Sequence, residues 1–153
     1  MNQPYRDPRT GATGPSLERL LVATLLDPTA RGELPMVAAL ARATHGTVRL
    51  LHVLEALMYS SPEMSALAKR DPDNHPEASR KMADAVRRLT ELGVGDVQGT
   101  IEFGIPGDVI LAQANSGAFD LLVLSHRGRG GGLYARAIAE SKIPVMSVPH
   151  TAG

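Results

Sequence analysis

The chain of 153 residues is long enough for one domain, and its 16 basic and 16 acidic residues cancel to a formal net charge of zero. With 43% hydrophobic and 21% charged residues its composition is globular rather than disordered, while neutrality, two Phe, three Tyr and no Trp argue against a nucleic-acid or anionic-membrane partner. The absence of cysteine excludes disulfides, a thiolate nucleophile and Cys-ligated metal, and no apolar run approaches the ~18 residues of a membrane span.

Residues 1–16 hold three prolines and two glycines, show no periodicity and lack the apolar stretch of a secretory signal. They read as a flexible tail ahead of a single domain over 17–150, and a cytoplasmic location is expected. Residues 19–26 form a short apolar run closed by Asp27-Pro28, which reads as a strand covered on both faces. A helix follows from near Glu33, with Pro35 in its first turn, Val37, Leu40, Ala41 and Thr44 on one face, and Gly46 expected in the left-handed position that ends it. Residues 47–53 read as a second strand. The irregular stretch 55–74 contains Pro62 and Pro72, has room for a short helix over 63–69, and reads as a locally packed loop or a lid. Pro76 and Glu77 open an amphipathic helix whose stripe is Ala78, Met82, Ala85, Val86, Leu89 and Leu92, and Gly93 stops it. A third strand over 97–103, a helix from Pro106 to about Ser116-Gly117, a fourth strand over 121–124, a short helix over 133–141 and a fifth strand over 145–148 complete the chain.

Strands and helices that alternate in this way predict an α/β fold with a parallel sheet covered by helices on both faces. Ligands of such sheets sit beyond the carboxyl ends of the strands at the switch in strand order, so the segments that leave each strand carry the interest. The most unusual is Ser125-His126-Arg127-Gly128-Arg129-Gly130-Gly131-Gly132, where glycines admit a close ligand and two guanidinium forks suit phosphate oxygens. The same loop also reads as a solvated surface segment. Asp27 stands where an acid would meet a ribose or a metal, or else forms a turn with Pro28. His52 inside a strand reads as a packed or hydrogen-bonded residue. Ser125 and His126 are neighbours on an extended chain and point apart, so they cannot pair as nucleophile and base. No Walker lysine, complete G-x-G-x-x-G, H-E-x-x-H or G-x-S-x-G is present, and no catalytic or metal-binding residue is expected.

Four stretches in order resemble the universal stress protein family: Leu20-Leu21-Val22-Ala23-Thr24; Gly46-Thr47-Val48-Arg49-Leu50-Leu51-His52-Val53; Gly104-Ile105-Pro106-Gly107-Asp108-Val109-Ile110 followed by Phe119-Asp120-Leu121-Leu122-Val123-Leu124; and Ser141-Lys142-Ile143-Pro144-Val145-Met146-Ser147-Val148. The resemblance implies five parallel strands in the order 3-2-1-4-5, a Rossmann-like sheet, and a homodimer through the last strand, Val145, Met146, Ser147 and Val148, which would otherwise be an open edge. The family's ATP-binding branch carries G-x2-G-x9-G-[S/T] after the fourth strand. Here Ser125 stands at the first glycine, Gly128 at the second, and Ile138-Ala139 where the last pair belongs. Those members also carry Asp directly after the first strand, where this chain has Leu25, with Asp27 two residues on.

The resemblance therefore implies a dimeric stress-response module that does not hold ATP in the usual way. The alternative is a nucleotide-binding member with a rebuilt phosphate loop, in which Arg127, Arg129 and the glycine run hold a small anion while Val53 and Ile105 pack a base. A nucleotidyl transferase of the same fold group is a third reading, without a base or metal site to support it. The candidate nucleotide residues are Thr24, Asp27, Val53, Gly104, Ile105, Pro106, Ser125, Arg127, Gly128, Arg129, Gly130 and Gly131. No cofactor is demanded, and ATP or another adenine nucleotide is the candidate ligand.

Overall fold

The computed structural model describes residues 17–27, 32–55, 75–126 and 132–149, together with residues 6, 8, 9 and 11. Apolar segments separated by Gly and Pro punctuation form β1 (Arg19–Ala23), β2 (Thr47–Glu55), β3 (Val97–Gly104), β4 (Leu121–His126) and β5 (Val145–Pro149). They pair into one parallel sheet in the order β3-β2-β1-β4-β5. Between them run α1 (Glu33–Thr44), α2 (Pro76–Glu91), α3 (Pro106–Ala114) and α4 (Gly132–Glu140). Pro76 and Pro106 each sit in the first helical turn, where no amide partner is lost.

One face of the sheet packs against α1 and α2 through Leu20, Val22, Leu50, Val123, Val37, Ala41, Met82 and Leu89. The other packs against α3 and α4 through Leu21, Leu51, Leu122, Leu124, Ile110, Ala114 and Ala137. The central β1 is enclosed on both sides, which is why it reads as a continuous apolar run rather than an alternation. Burial of each such Leu contributes about 2 kcal/mol. At Gly99 of β3 an added Cβ would come within 2.6 Å of Met82, so the missing side chain lets α2 lie close to the sheet.

The amino ends of β1 and β4 are joined by Asp120. Its carboxylate accepts from the Glu18 amide (3.1 Å), the Arg19 amide (2.9 Å) and the Arg19 guanidinium (2.8 and 3.3 Å). Burial works to raise this carboxyl, but the hydrogen bonds from Arg19 and Glu18 and the guanidinium charge outweigh it, and Asp120 lies below the usual carboxylate range.

Two sequence expectations are corrected. The first strand stops at Ala23, not at Leu26, because the chain turns at Thr24 and Leu26 takes a left-handed φ of 53°. Helix α1 is ended by His45, not Gly46, in the left-handed position, also at φ 53°. Gly46 serves another need: a Cβ there would approach the Glu18 carbonyl oxygen at 2.9 Å. The short helix over 63–69, the lid of 55–74 beyond Glu55, and the tail of 1–16 apart from residues 6, 8, 9 and 11 lie outside the described residues. Among the described residues, no helix is long and apolar enough to cross a membrane.

Candidate functional site

Strand lengths shape the switch point. Ala23, the last residue of β1, lies level with Leu51 of β2 and Leu124 of β4. Beyond that level β2 continues through His52, Val53, Leu54 and Glu55, paired with β3 as far as Gly104. On the other side β4 continues through Ser125 and His126, paired with Val148 and Pro149 of β5. The short central strand leaves a notch in the carboxyl edge of the sheet, about 13 Å deep on the β2 side at 3.3 Å per residue.

Thr24 makes the floor. Its amide still donates to the Leu51 carbonyl (2.9 Å), and its hydroxyl accepts from the Leu26 amide (3.1 Å), a local turn that threonine is suited to form. The Thr24 carbonyl accepts from Nδ1–H of His52 at 2.9 Å, so the hydrogen-bonded reading of this strand histidine is the one observed. Thr24 is 6% exposed. With Leu26, Asp27, the amino end of α1 and the middle of α2 it lines a cavity of about 560 Å³. Cationic side chains on its α2 wall are paired with acids, Lys81 with Glu77 at 3.2 Å and Arg87 with Asp84 at 2.9 Å. A second cavity of about 430 Å³ is lined by Leu25, Leu26, His52, Leu54, Lys81 and the start of α2, where His75 lies 5.3 Å from the Phe103 ring.

Strand alternation puts Ser125 on the α1–α2 side, beside the floor, since Val123 belongs to that core and Leu124 to the other. Its Oγ is buried and has no hydrogen-bond partner among the described residues. A buried hydroxyl without a partner costs about 1–3 kcal/mol.

The candidate residues thus separate into groups. Thr24, Asp27 and Ser125 gather at the floor and on its α1–α2 side. Val53, on the β2 wall, packs against the opposite core with Ile110 and Leu51. Gly104 closes β3 at φ 149°, where a Cβ would also meet Val109 at 2.8 Å, so glycine is needed there for the backbone itself. Ile105 follows, 60% exposed at the top of that wall, and Pro106 opens α3. The notch therefore does not seat Val53 and Thr24 on one face. Arg127, Gly128, Arg129, Gly130 and Gly131 lie outside the described residues.

Sequence reasoning missed Glu33, a carboxylate only 3% exposed at the mouth of α1 that lines the larger cavity. Its only sequence signal is an acid in a first helical turn, which ordinarily reads as a complement to the helix dipole. Among the described residues no cluster of metal-ligating side chains occurs. On the β5 edge, Val145, Met146 and Ser147 are half-buried and Val148 is buried.

A sequence model described as the universal stress protein family matches residues 16–149. No curated protein matches the chain significantly in sequence. Among solved structures, the universal stress protein UspA from Lactobacillus plantarum superposes with a TM-score of 0.73 at 17% identity, over 88% of this chain and 99% of that one. A family protein from Arabidopsis thaliana solved with AMP bound gives 0.63 at 24% identity, over 88% and 93%. The universal stress protein from Archaeoglobus fulgidus in complex with dAMP gives 0.60 at 19% identity, over 85% and 96%. At such identities the likeness speaks for the fold.

Proposed function

The chain belongs to the universal stress protein family, and from that premise we propose that it is a non-enzymatic stress-response module that takes an adenine nucleotide in the notch without the standard triphosphate cradle and pairs with a second copy through β5. The observation that carries this reading is the notch itself: a central strand that stops early at the switch point, floored by Thr24 and bordered by the buried Ser125 hydroxyl, which has no partner among the described residues. Solved relatives hold AMP and dAMP, which supports an adenosine monophosphate as the probe. The exposed Ile105 offers an apolar surface of the kind that packs against a purine. Arg127 and Arg129 with Gly130, Gly131 and Gly132 are the groups suited to the phosphate.

Because Ile138-Ala139 stands where the family's last Gly-[S/T] pair belongs, the outer phosphates of ATP gain nothing here. Titration calorimetry is expected to give AMP and ATP dissociation constants within about threefold of each other, less than 1 kcal/mol apart. No heat with either at millimolar concentration would remove the nucleotide from the reading and leave a module that works by partner contact alone. ATP bound a hundredfold more tightly than AMP would mean that a triphosphate cradle exists after all.

Native mass spectrometry tests the dimer. Unsubstituted protein should appear at twice the 16.2 kDa chain mass. A monomeric unsubstituted protein removes β5 pairing from the proposal.

A further inference from the structure

We propose that His52 is a positioning residue: its Nδ1–H bond to the Thr24 carbonyl holds the turn after β1 in the shape the notch needs, and removal of that bond loosens the turn and weakens the ligand. This rests on the reading of the notch as a nucleotide site. Three connected observations carry it. His52 is the first residue of β2 above the level at which β1 ends, so its ring reaches across the floor of the notch to a chain that has already left the sheet. The carbonyl it binds belongs to Thr24, whose hydroxyl in turn accepts from the Leu26 amide. Leu26 stands at φ 53°, a conformation that branched and long side chains adopt at a cost and only when neighbours over-determine it.

The turn is also the wall between the two cavities. Leu26 lines both, His52 lines the smaller and Asp27 the larger. A turn that relaxes toward ordinary φ would swing Leu26 out of its packing against the α1–α2 core and move Asp27 with it. Because the Thr24 carbonyl only accepts, Nδ1 must carry the proton. That fixes the neutral ring as the Nδ1–H tautomer, with Nε2 as an acceptor.

The experiment compares unsubstituted protein, His52→Leu and His52→Asn, the last of which keeps a short donor. Nitrogen chemical shifts of the ring in ligand-free protein above pH 8 should report the Nδ1–H tautomer. Amide exchange at Leu26 and Asp27 should be about three- to tenfold faster in His52→Leu, the factor that one lost hydrogen bond supplies, while exchange at Leu122 in the sheet centre stays unchanged. The AMP dissociation constant should rise by a similar factor, and His52→Asn should recover most of both effects. An Nε2–H tautomer, unchanged exchange at Leu26 in His52→Leu, or faster exchange with unaltered AMP affinity would each overturn the proposal. Failure of the nucleotide reading shows separately, as absence of AMP binding by the unsubstituted protein.

Discussion

At the amino-terminal edge of the sheet Asp120 gathers four hydrogen bonds from Glu18 and Arg19 and ties β1 to β4. At the carboxyl-terminal edge, on the same two strands, Leu26 is held at a left-handed φ and the Ser125 hydroxyl is buried without a partner among the described residues. The amino ends of β1 and β4 share one carboxylate, whereas past their carboxyl ends stand a core side chain at a left-handed angle and, among the described residues, an unbonded hydroxyl. With the notch taken as the proposed ligand site, the difference separates stability from function along a single sheet. On the proposed reading, interactions that lower the free energy of the fold collect away from the ligand, and local violations are tolerated beside it.

The strongest way to break this division is Asp120→Ala. It strips the Glu18 and Arg19 amides and the guanidinium of their acceptor, and a charged, mostly enclosed acceptor of this kind is expected to cost about 3 kcal/mol in urea unfolding. AMP affinity of the folded variant should not change. A loss below about 1 kcal/mol would mean that the amino edge is not where the fold is secured. The same carboxylate sets a pH dependence. Its folded pKa is lowered, so its contribution is complete above the unfolded value of about 3.9 and disappears as pH falls through the lower folded value. The acid-unfolding midpoint of Asp120→Asn should therefore move toward that of a protein without this dependence.

A second break lies in β3. Gly99→Val pushes two methyl groups into Met82 and Val86 and should cost about 2 kcal/mol through displaced α2, with Thr24 and its turn untouched. The urea midpoint reads the cost, and an unchanged AMP titration reads the separation. At the opposite edge the sign should reverse. Ser125→Ala removes a buried hydroxyl with no partner among the described residues, so stability is expected to rise by about 1 kcal/mol while AMP affinity falls. If Ser125→Ala lowers stability, the hydroxyl belongs to the fold and the comparison loses its functional half.

The carboxyl edge is also where the sequence was hardest to read. Every strand in the sheet and the helices between them were legible, because apolar runs such as Leu121-Leu122-Val123-Leu124 and starters such as Pro76 and Pro106 act locally. The run from Leu20 to Leu26 was not legible in the same way. Seven residues of similar polarity do not reveal that the backbone leaves the sheet after Ala23, since that depends on a hydroxyl bonding two residues ahead and on a histidine 28 positions later in the chain. The site suffered likewise. Thr24, Asp27 and Ser125 are reached by strand order together with the family resemblance, whereas buried Glu33 gives no local sign of its enclosure. Propensity points to Gly46 as the left-handed residue closing α1, but that glycine serves the close approach to the Glu18 carbonyl and His45 takes the left-handed position.

The smallest predicted effect tests the comparison most directly, because it sets the same backbone angle at both edges. His45 and Leu26 share φ 53°. His45 closes α1 beside the start of β2, and its side chain is exposed. His45→Gly removes the steric cost of a left-handed residue, about 1–2 kcal/mol, and adds the larger chain entropy that glycine loses on folding, about 0.5–1 kcal/mol. The balance is a gain of about 0.5 kcal/mol, with AMP binding unchanged. Leu26→Gly relieves the same angle but deletes a side chain only 8% exposed within the α1–α2 core, so it should lose about 2 kcal/mol net. Urea midpoints of the two variants should therefore move in opposite directions. If both rise, the turn at Leu26 is not held by packing, and the strain at the carboxyl edge is as dispensable as that at His45.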